Sequence, residues 1–304
     1  MGRHGTIATQ PVHVRLTSLF EARWSYADFV KVMPFGPDSE GQAFAYGPVC
    51  RVEGERLSGS YRIVQYPRWR ADGLYLPDVH GMIKTDSGEQ VAVRGAGYGI
   101  PVSGAEGQLT ISHWMRFWSD SPALDWLNWT VAFGIGSFVD DEARVNYFAA
   151  VPVAEAGNAP PDMPSLELLG TAQWEYPEDE FVRTFGDDEG VGFATSTGSV
   201  EGGLLAGRWR GWHYPTHLRN GLHQLDAHAE ISTPGGRILS RHGGLETAPS
   251  QPSVDLMRDV VQHATFLTES TTLAKLNRTL AIGVGFVRSH RVVKISYYGL
   301  SGPA

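Results

Sequence analysis

The amino-acid sequence predicts an all-β protein in which one antiparallel domain occurs twice. Segments such as SGSYRIVQY, EQVAVRG and QLTISHWMRFW are short and rich in β-branched and aromatic residues, and turn signals such as TDSGE and TPGGR separate them. Only residues 123–128 and 253–264 carry a pattern that suits a helix, and the second begins with a serine N-cap. Many strands without regular helical crossovers favour an antiparallel barrel or sandwich over a doubly wound sheet.

A comparison of the chain with itself supports the two-domain prediction. VEGERLSGSYRIVQYP (52–67) matches VEGGLLAGRWRGWHYP (200–215), 148 positions later, and the same offset pairs Gly88 with Gly236 and Gly95 with Gly243. WLNWTVAFGIG (126–136) matches KLNRTLAIGVG (275–285) at an offset of 149. A match of this length indicates a duplication. We therefore predict an N-terminal tail (1–15), repeat 1 (16–151), a Pro-, Ala- and Gly-rich linker (152–163) and repeat 2 (164–300).

Composition and charge restrict the class of protein and its partners. The 304 residues are 42% hydrophobic and 19% charged, and no apolar run is long enough to span a membrane, so a soluble protein is expected. A net charge of −8 without a basic run argues against nucleic acid as a partner. Because the N-terminus lacks the apolar core of a signal peptide, we expect a cytoplasmic protein, and a homo-oligomer is possible.

The sequence lacks the motifs of common cofactor and metal sites. GAGYG, which begins at Gly95, has no strand–turn–helix pattern around it and is not a dinucleotide fingerprint. HYPTH, from His213 to His217, has a zinc-binding spacing only on a helix, and Pro215 interrupts it. Cys50 is the only cysteine, which excludes an intrachain disulfide. We expect no cofactor and no metal, and a small molecule as the ligand.

One acid–histidine pattern occurs in both repeats. LPDVHGMIKTDSGEQ contains Asp78 and His80, and LDAHAEISTPGGR contains Asp226 and His228. Positions i and i+2 of a strand share a face, so each carboxylate would orient its imidazole for proton transfer. Arginines on the preceding matched strands would hold an oxyanion, tyrosines on the same face would donate protons, and tryptophans would line an apolar pocket. These substrate-binding candidates are Arg62, Arg210, Tyr66, Tyr214, Trp69 and Trp212.

A family resemblance adds an expectation about the barrel. VEGGLLAGRW, LDAHAEISTPGGRI, RHGG and KLNRTLAIGVG resemble the bacterial and fungal domain-of-unknown-function family 3237, and ERLSGSY and DWLNWTVAFGIG match it in repeat 1. The resemblance implies two small antiparallel, calycin-like β-barrels packed as a pseudo-dimer, each with an interior that can hold a small molecule. The family usually has Arg two residues after the Asp, where this chain has His80 and His228.

The paired residues suggest a cofactor-independent acid–base enzyme. We expect a lyase, isomerase or cyclase that acts on a small oxygenated, aromatic or polycyclic metabolite bound in a barrel cavity. His80 and His228 would move protons, and Asp78 and Asp226 would orient them. Two alternative functions stay open: a non-catalytic carrier of an apolar small molecule, and a structural interaction protein whose cavities are filled by Trp and Tyr. The Asp-x-His pairs themselves can instead belong to a buried structural network or face solvent.

Overall fold

The structure of the chain is a computed structural model that describes residues 10–34, 36, 40–153, 163–183, 189–218, 220–247, 258–288 and 292–300. Within these residues, each half of the chain forms an antiparallel sheet of its own. Both sheets close into barrels, so the fold is all-β with two tandem barrels. Strand β1 begins at His13 and β11 ends at Val153, two to three residues outside the predicted limits of repeat 1.

Repeat 1 forms its barrel from eleven strands and one short helical segment. The strands are β1 (His13–Ser25), β2 (Asp28–Val32), β3 (Gly41–Glu53), β4 (Gly59–Gln65), β5 (Arg68–Trp69), β6 (Tyr75–Leu76), β7 (Asp78–Thr85), β8 (Gln90–Pro101), β9 (Leu109–Trp118), β10 (Val131–Val139) and β11 (Glu142–Val153). A 3₁₀ turn (Pro122–Leu124) runs into α1 (Asp125–Asn128), where the sequence predicts a helix. The barrel closes because β1 pairs with both β11 and β3.

Repeat 2 forms an equivalent barrel from nine strands, with fewer short strands at its end. Its strands are β12 (Leu166–Arg183), β13 (Gly190–Glu201), β14 (Gly207–His213), β15 (Thr216–His217), β16 (His223–Thr233), β17 (Gly236–Thr247), β18 (Arg258–Leu267), β19 (Leu280–Arg288) and β20 (Val292–Leu300). Two 3₁₀ segments, Gly203–Leu205 and Thr271–Arg278, lie between strands. Pairing of β12 with β20 and with β13 closes the barrel.

The alternation of apolar and polar residues decides which side chains face the barrel axis. In β4, Tyr61 and Ile63 are 1% exposed, whereas the intervening Arg62 faces solvent. Burial of one such large side chain contributes about 1.5–3 kcal/mol, which is why this alternation fixes the register of each strand. The same alternation in β18 buries Val260 and Phe266. The predicted helix over 253–264 is therefore wrong from Arg258 onward, and its first five residues lie outside the described part.

The two repeats differ in the turn between the strands that carry the Asp-x-His motif and the strands that follow. Three residues (86–88) separate Thr85 from Glu89 in repeat 1, and two (234–235) separate Thr233 from Gly236 in repeat 2. As a result, Val79 of β7 is paired with Gly95, and its equivalent Ala227 of β16 is paired with His242. The sequence pairing of Gly95 with Gly243 is therefore wrong, because the structural offset in β17 is one residue shorter.

The barrels pack against each other through the outer faces of β9–β11 and β18–β20, an interface we call the seam. The rings of Trp114 and His263 stack across it with centroids 4.0 Å apart. Val12 donates its backbone N–H to Ser296 Oγ at 2.8 Å and accepts from Tyr298 at 2.9 Å, which fastens the start of the chain to repeat 2. The buried residues of this apolar interface include Leu16, Val131, Phe133, Ile135, Phe148, Leu245, Ile282, Val284 and Leu300.

The predicted linker lies largely outside the described residues, which resume at Met163. None of the helices in the described part of the chain is long and apolar enough to cross a membrane.

Candidate functional site

Repeat 1 contains a cavity of about 510 Å³ at one end of its barrel, which we call the repeat-1 cavity. Its wall is a continuous series of aromatic rings, each with its centroid within 6.4 Å of the next. In order along the wall these rings are Phe138, Tyr26, Phe29, Trp69 and Tyr75. A space with flat apolar walls suits an aromatic or polycyclic ligand.

Hydroxyl and amide groups interrupt this aromatic wall. Trp24 Nε1 donates a hydrogen bond to the Tyr26 hydroxyl at 2.9 Å, and the Tyr75 hydroxyl donates to Gln65 Oε1 at 2.9 Å. Burial raises the pKa of Tyr26, and the hydrogen bond from Trp24 opposes this shift. Burial also raises the pKa of Tyr75. Both phenols therefore stay protonated at neutral pH. The Tyr26 hydroxyl, which accepts from Trp24, can donate to an oxygen atom of a ligand, whereas the Tyr75 hydroxyl donates to Gln65.

His113 supplies an imidazole to the same cavity. It is 3% exposed, its Nδ1 lies 2.8 Å from the Tyr147 hydroxyl, and its Nε2 has no hydrogen-bond partner among the described residues. Burial lowers the pKa of His113 to about 3, so the ring is neutral. Gly95 makes room for it, because a Cβ at that position would lie 2.6 Å from His113 Cε1.

The equivalent interior of repeat 2 is occupied by side chains that hydrogen bond to one another. Trp174 and Trp209 stack with centroids 4.6 Å apart, and Trp209 Nε1 donates to Ser196 Oγ at 3.0 Å. His213, at the position of Gln65, lies 2.8 Å from the same hydroxyl. Burial lowers the pKa of His213 to about 3, so this is a neutral, packed network.

Two further substitutions fill the second barrel. His242 stands where repeat 1 has Gly95, and its Nε2 lies 2.7 Å from Ser240 Oγ. Gln262 stands where repeat 1 has His113, and it donates to the Tyr297 hydroxyl at 2.7 Å. Repeat 2 therefore places two polar side chains, His242 and Gln262, where repeat 1 has Gly95 and His113, so the geometry favours repeat 1 as the ligand-binding barrel.

The rim of repeat 2 also differs in chemistry from that of repeat 1. His217 and His223 stack at 3.8 Å in place of Trp69 and Tyr75, and Glu246 lies 3.1 Å from His223 Nδ1. These groups do not form a metal site: among the described residues, no three His, Cys, Asp or Glu side chains are grouped so that they could hold an ion.

The structure places the Asp-x-His pairs on the outer faces of the barrels, away from the repeat-1 cavity. His80 Nε2 lies 3.3 Å from Asp78 Oδ1, with both side chains about half exposed. His228 Nε2 lies 3.9 Å from Asp226 Oδ1, again with both exposed. The physical reason is that the alternate residue of each strand, Val79 or Ala227, occupies the inward position. The expectation that these pairs line a barrel cavity is therefore wrong.

The predicted substrate-binding residues follow the same division. Tyr66 and Tyr214 are 48% and 40% exposed and lie beside His80 and His228 on the outer surface. Arg62 is exposed, and Arg210 forms an ion pair with Glu230 at 2.7 Å. Trp212 faces outward beneath the Arg210 guanidinium. Trp69 lines the repeat-1 cavity, alone among the ten predicted site residues.

Sequence reasoning missed the polar residues that do line the cavity, although the strands that carry them contain a signal. Gln65 ends an inward series that begins with Tyr61 and Ile63, and His113 lies between Ile111 and Met115 on another inward face. A polar residue on an otherwise apolar face must find a partner or a ligand, so such positions mark an interior site.

Comparisons with known proteins assign neither a family nor an activity to this chain. No family model matches the chain, and no curated protein matches it, so the resemblance to family 3237 stays a prediction. Among solved structures, a β-barrel-like protein of Acinetobacter baumannii is similar at 17% identity, with a TM-score of 0.42, over 46% of this chain and 98% of that one. An enzyme of Penicillium herquei is similar at 19% identity, with a TM-score of 0.39, over 47% and 99%. A protein of unknown function from Clostridium acetobutylicum is similar at 14% identity, with a TM-score of 0.40, over 44% and 98%.

Proposed function

We propose that the repeat-1 cavity binds a small, flat, oxygenated aromatic molecule and catalyses a cofactor-independent proton transfer on it, as a lyase, isomerase or cyclase. The observation that carries this proposal is the Tyr26 hydroxyl, which lies in an aromatic cavity and accepts a hydrogen bond from Trp24. A phenol that is positioned and kept protonated in this way is a donor to a carbonyl or enolate oxygen.

The remaining polar groups of the cavity have separate roles in this proposal. The Tyr75 hydroxyl and Gln65 orient the ligand, since they are already joined to each other at 2.9 Å. In the tautomer that carries the ring hydrogen on Nδ1, His113 donates a hydrogen bond to the Tyr147 hydroxyl. Its Nε2, which has no partner among the described residues, then accepts a proton from a ligand carbon. His80 and His228 take no part in the chemistry because they lie outside the cavity.

The alternative function is a carrier that holds such a molecule without changing it. One observation favours this alternative: burial moves the pKa of His113 down to about 3 and that of Tyr26 upward. Both shifts are away from the neutral range in which general acids and bases work best.

The experiment uses α-tetralone, a bicyclic aromatic ketone, as the probe. Binding is measured by calorimetry, and proton transfer is measured as exchange of the α-hydrogens for deuterium in D₂O by NMR. The variants are Tyr26→Phe in the cavity and, as a matched control, Tyr66→Phe on the outer surface. The enzyme is supported if the wild-type chain speeds up the exchange, Tyr26→Phe abolishes this effect, and Tyr66→Phe keeps it. Binding without faster exchange supports the carrier, and absence of binding contradicts both.

A further inference from the structure

A second concave site lies at the edge of the seam, on the outside of repeat 1. This space, which we call the seam groove, has a volume of about 470 Å³. Repeat 1 contributes the outer faces of β7–β9, and repeat 2 contributes the turn around Asn220. The residues that matter for its chemistry are Met82, Gln90, Arg116, Trp118, Leu218 and Asn220.

Arg116 is a buried cation with no carboxylate partner in the described part of the chain. It is 5% exposed, its Nη1 donates to the Gly244 carbonyl at 3.4 Å, and its Nε has no hydrogen-bond partner. Among the described residues, no Asp or Glu forms an ion pair with it. Burial lowers its pKa to about 10, so the guanidinium is still charged at neutral pH. A buried unpaired charge is destabilising unless an anion compensates it.

The surroundings of Arg116 add positive charge. Arg94 is its cross-strand neighbour in β8. On the other side of the seam, Arg241 and Arg116 both depress the pKa of His263, after burial itself. Asp120 is the acidic residue on the groove wall, and its exposed side chain forms no ion pair with Arg116. These arginines lie together in a chain whose net charge is −8.

The duplication shows that this arginine is not a packing feature common to both barrels. Register pairing places Arg116 opposite Arg94 and Val131, and it places Thr265 opposite Arg241 and Leu280. Arg116 and Thr265 are therefore equivalent positions. The cation is present at only one of the two, where the groove is.

We propose that the seam groove binds a small organic carboxylate, with the carboxylate on Arg116 and the apolar part against Met82, Trp118 and Leu218. The planar guanidinium offers parallel donors that match a carboxylate in a bidentate arrangement. Trp118, whose ring lies 5.4 Å from the Arg116 guanidinium carbon, supplies an exposed apolar surface beside the charge. This site is separate from the repeat-1 cavity and does not depend on the function proposed for it.

The test is calorimetric titration of the full chain with phenylacetate, with its uncharged analogue phenylacetamide, and with inorganic phosphate. The variant Arg116→Met removes the charge and keeps most of the chain length, and Arg94→Met is the exposed control. We expect phenylacetate to bind more tightly than phenylacetamide and phosphate, and Arg116→Met to weaken it by about tenfold or more, as one charge-assisted contact requires. Arg94→Met should weaken it less.

Thermal unfolding gives a second readout that does not depend on the probe. Without ligand, Arg116→Met should unfold at a higher temperature than the wild-type chain, because it removes an uncompensated buried charge. Phenylacetate binding that survives Arg116→Met but is lost in Tyr26→Phe would place the ligand in the repeat-1 cavity and overturn the proposal. Equal affinity for phenylacetate and phenylacetamide, or a preference for phosphate, would overturn the carboxylate assignment.

Discussion

Trp114 and His263 occupy equivalent positions in the two repeats and stack on each other across the seam, with an interplanar angle of 4°. Burial, and then Arg241 and Arg116, lower the pKa of His263 to about 3. The imidazole is therefore neutral in the folded chain at neutral pH. Protonation would place a positive charge in a buried position near two arginines.

Folding stability should consequently fall as the pH drops below the ordinary histidine range. An unfolded histidine binds a proton near pH 6.5, whereas folded His263 does so only near pH 3, so acid favours the unfolded chain throughout that window. One such group changes the free energy of unfolding by at most about 1.4 kcal/mol per pH unit. Denaturant unfolding at pH 7 and pH 5 should show a smaller loss for His263→Phe than for the wild type.

Trp114→Phe is the control for this measurement, because it weakens the stack without removing the titrating group. It should lower stability at both pH values and leave the difference between them unchanged. A difference between pH 7 and pH 5 that is the same in His263→Phe and in the wild type would contradict the role given to His263.

The double variant His80→Ala, His228→Ala should have little effect. Both side chains are about half exposed and face away from the repeat-1 cavity. Substitutions at such sites usually change stability by less than about 0.5 kcal/mol. We expect unchanged α-tetralone affinity and exchange rate by the calorimetric and NMR measurements. A loss of turnover would return the Asp-x-His pairs to the active site.

Two buried tyrosines of repeat 1 should respond oppositely to the loss of their hydroxyl groups. The Tyr61 hydroxyl has no hydrogen-bond partner among the described residues, so Tyr61→Phe should be neutral or stabilise the chain by up to about 1 kcal/mol. The Tyr147 hydroxyl contacts His113 at 2.8 Å, so Tyr147→Phe should cost about 1 kcal/mol. Chemical denaturation of both variants makes the comparison, and equal effects would contradict the assigned contacts.

Cys50 should report the opening of the first barrel. It is 6% exposed, and burial raises the pKa of its thiol to about 11. At pH 8 only about one thiol in a thousand is ionised, so an Ellman-type reagent should react slowly with the native chain. Reaction should become complete in denaturant. Rapid labelling of the native protein would show that β3 opens locally.

Much of the fold could be predicted from the sequence, because the duplication and the alternation of apolar and polar residues in each strand can both be read from it. The site was harder to predict. Along each strand, inward and outward side chains alternate with the same spacing, so spacing alone does not show which set lines the cavity. Asp78 and His80 suggested chemistry, but Val79 between them is the residue that the core requires. His113 and Gln65 were the better indicators, since each interrupts an apolar inward face. From Arg258 onward, the helix expected over 253–264 is a strand instead, because pairing with β17 and β19 outweighs local helical spacing in β18.

The turn that is one residue shorter in repeat 2 has an effect far larger than its size. It exchanges the two faces of β17, so that Leu239 lies 57% exposed to water while His242 points to the barrel axis. Had the turns been equal in length, Gly243 would occupy the interior, as Gly95 does in repeat 1. The length of one exposed turn thus decides which residue of β17, His242 or Gly243, contributes to the filling of the second barrel. Insertions and deletions at the surface can therefore change the internal volume of such proteins, in addition to substitutions in the strands that line the interior.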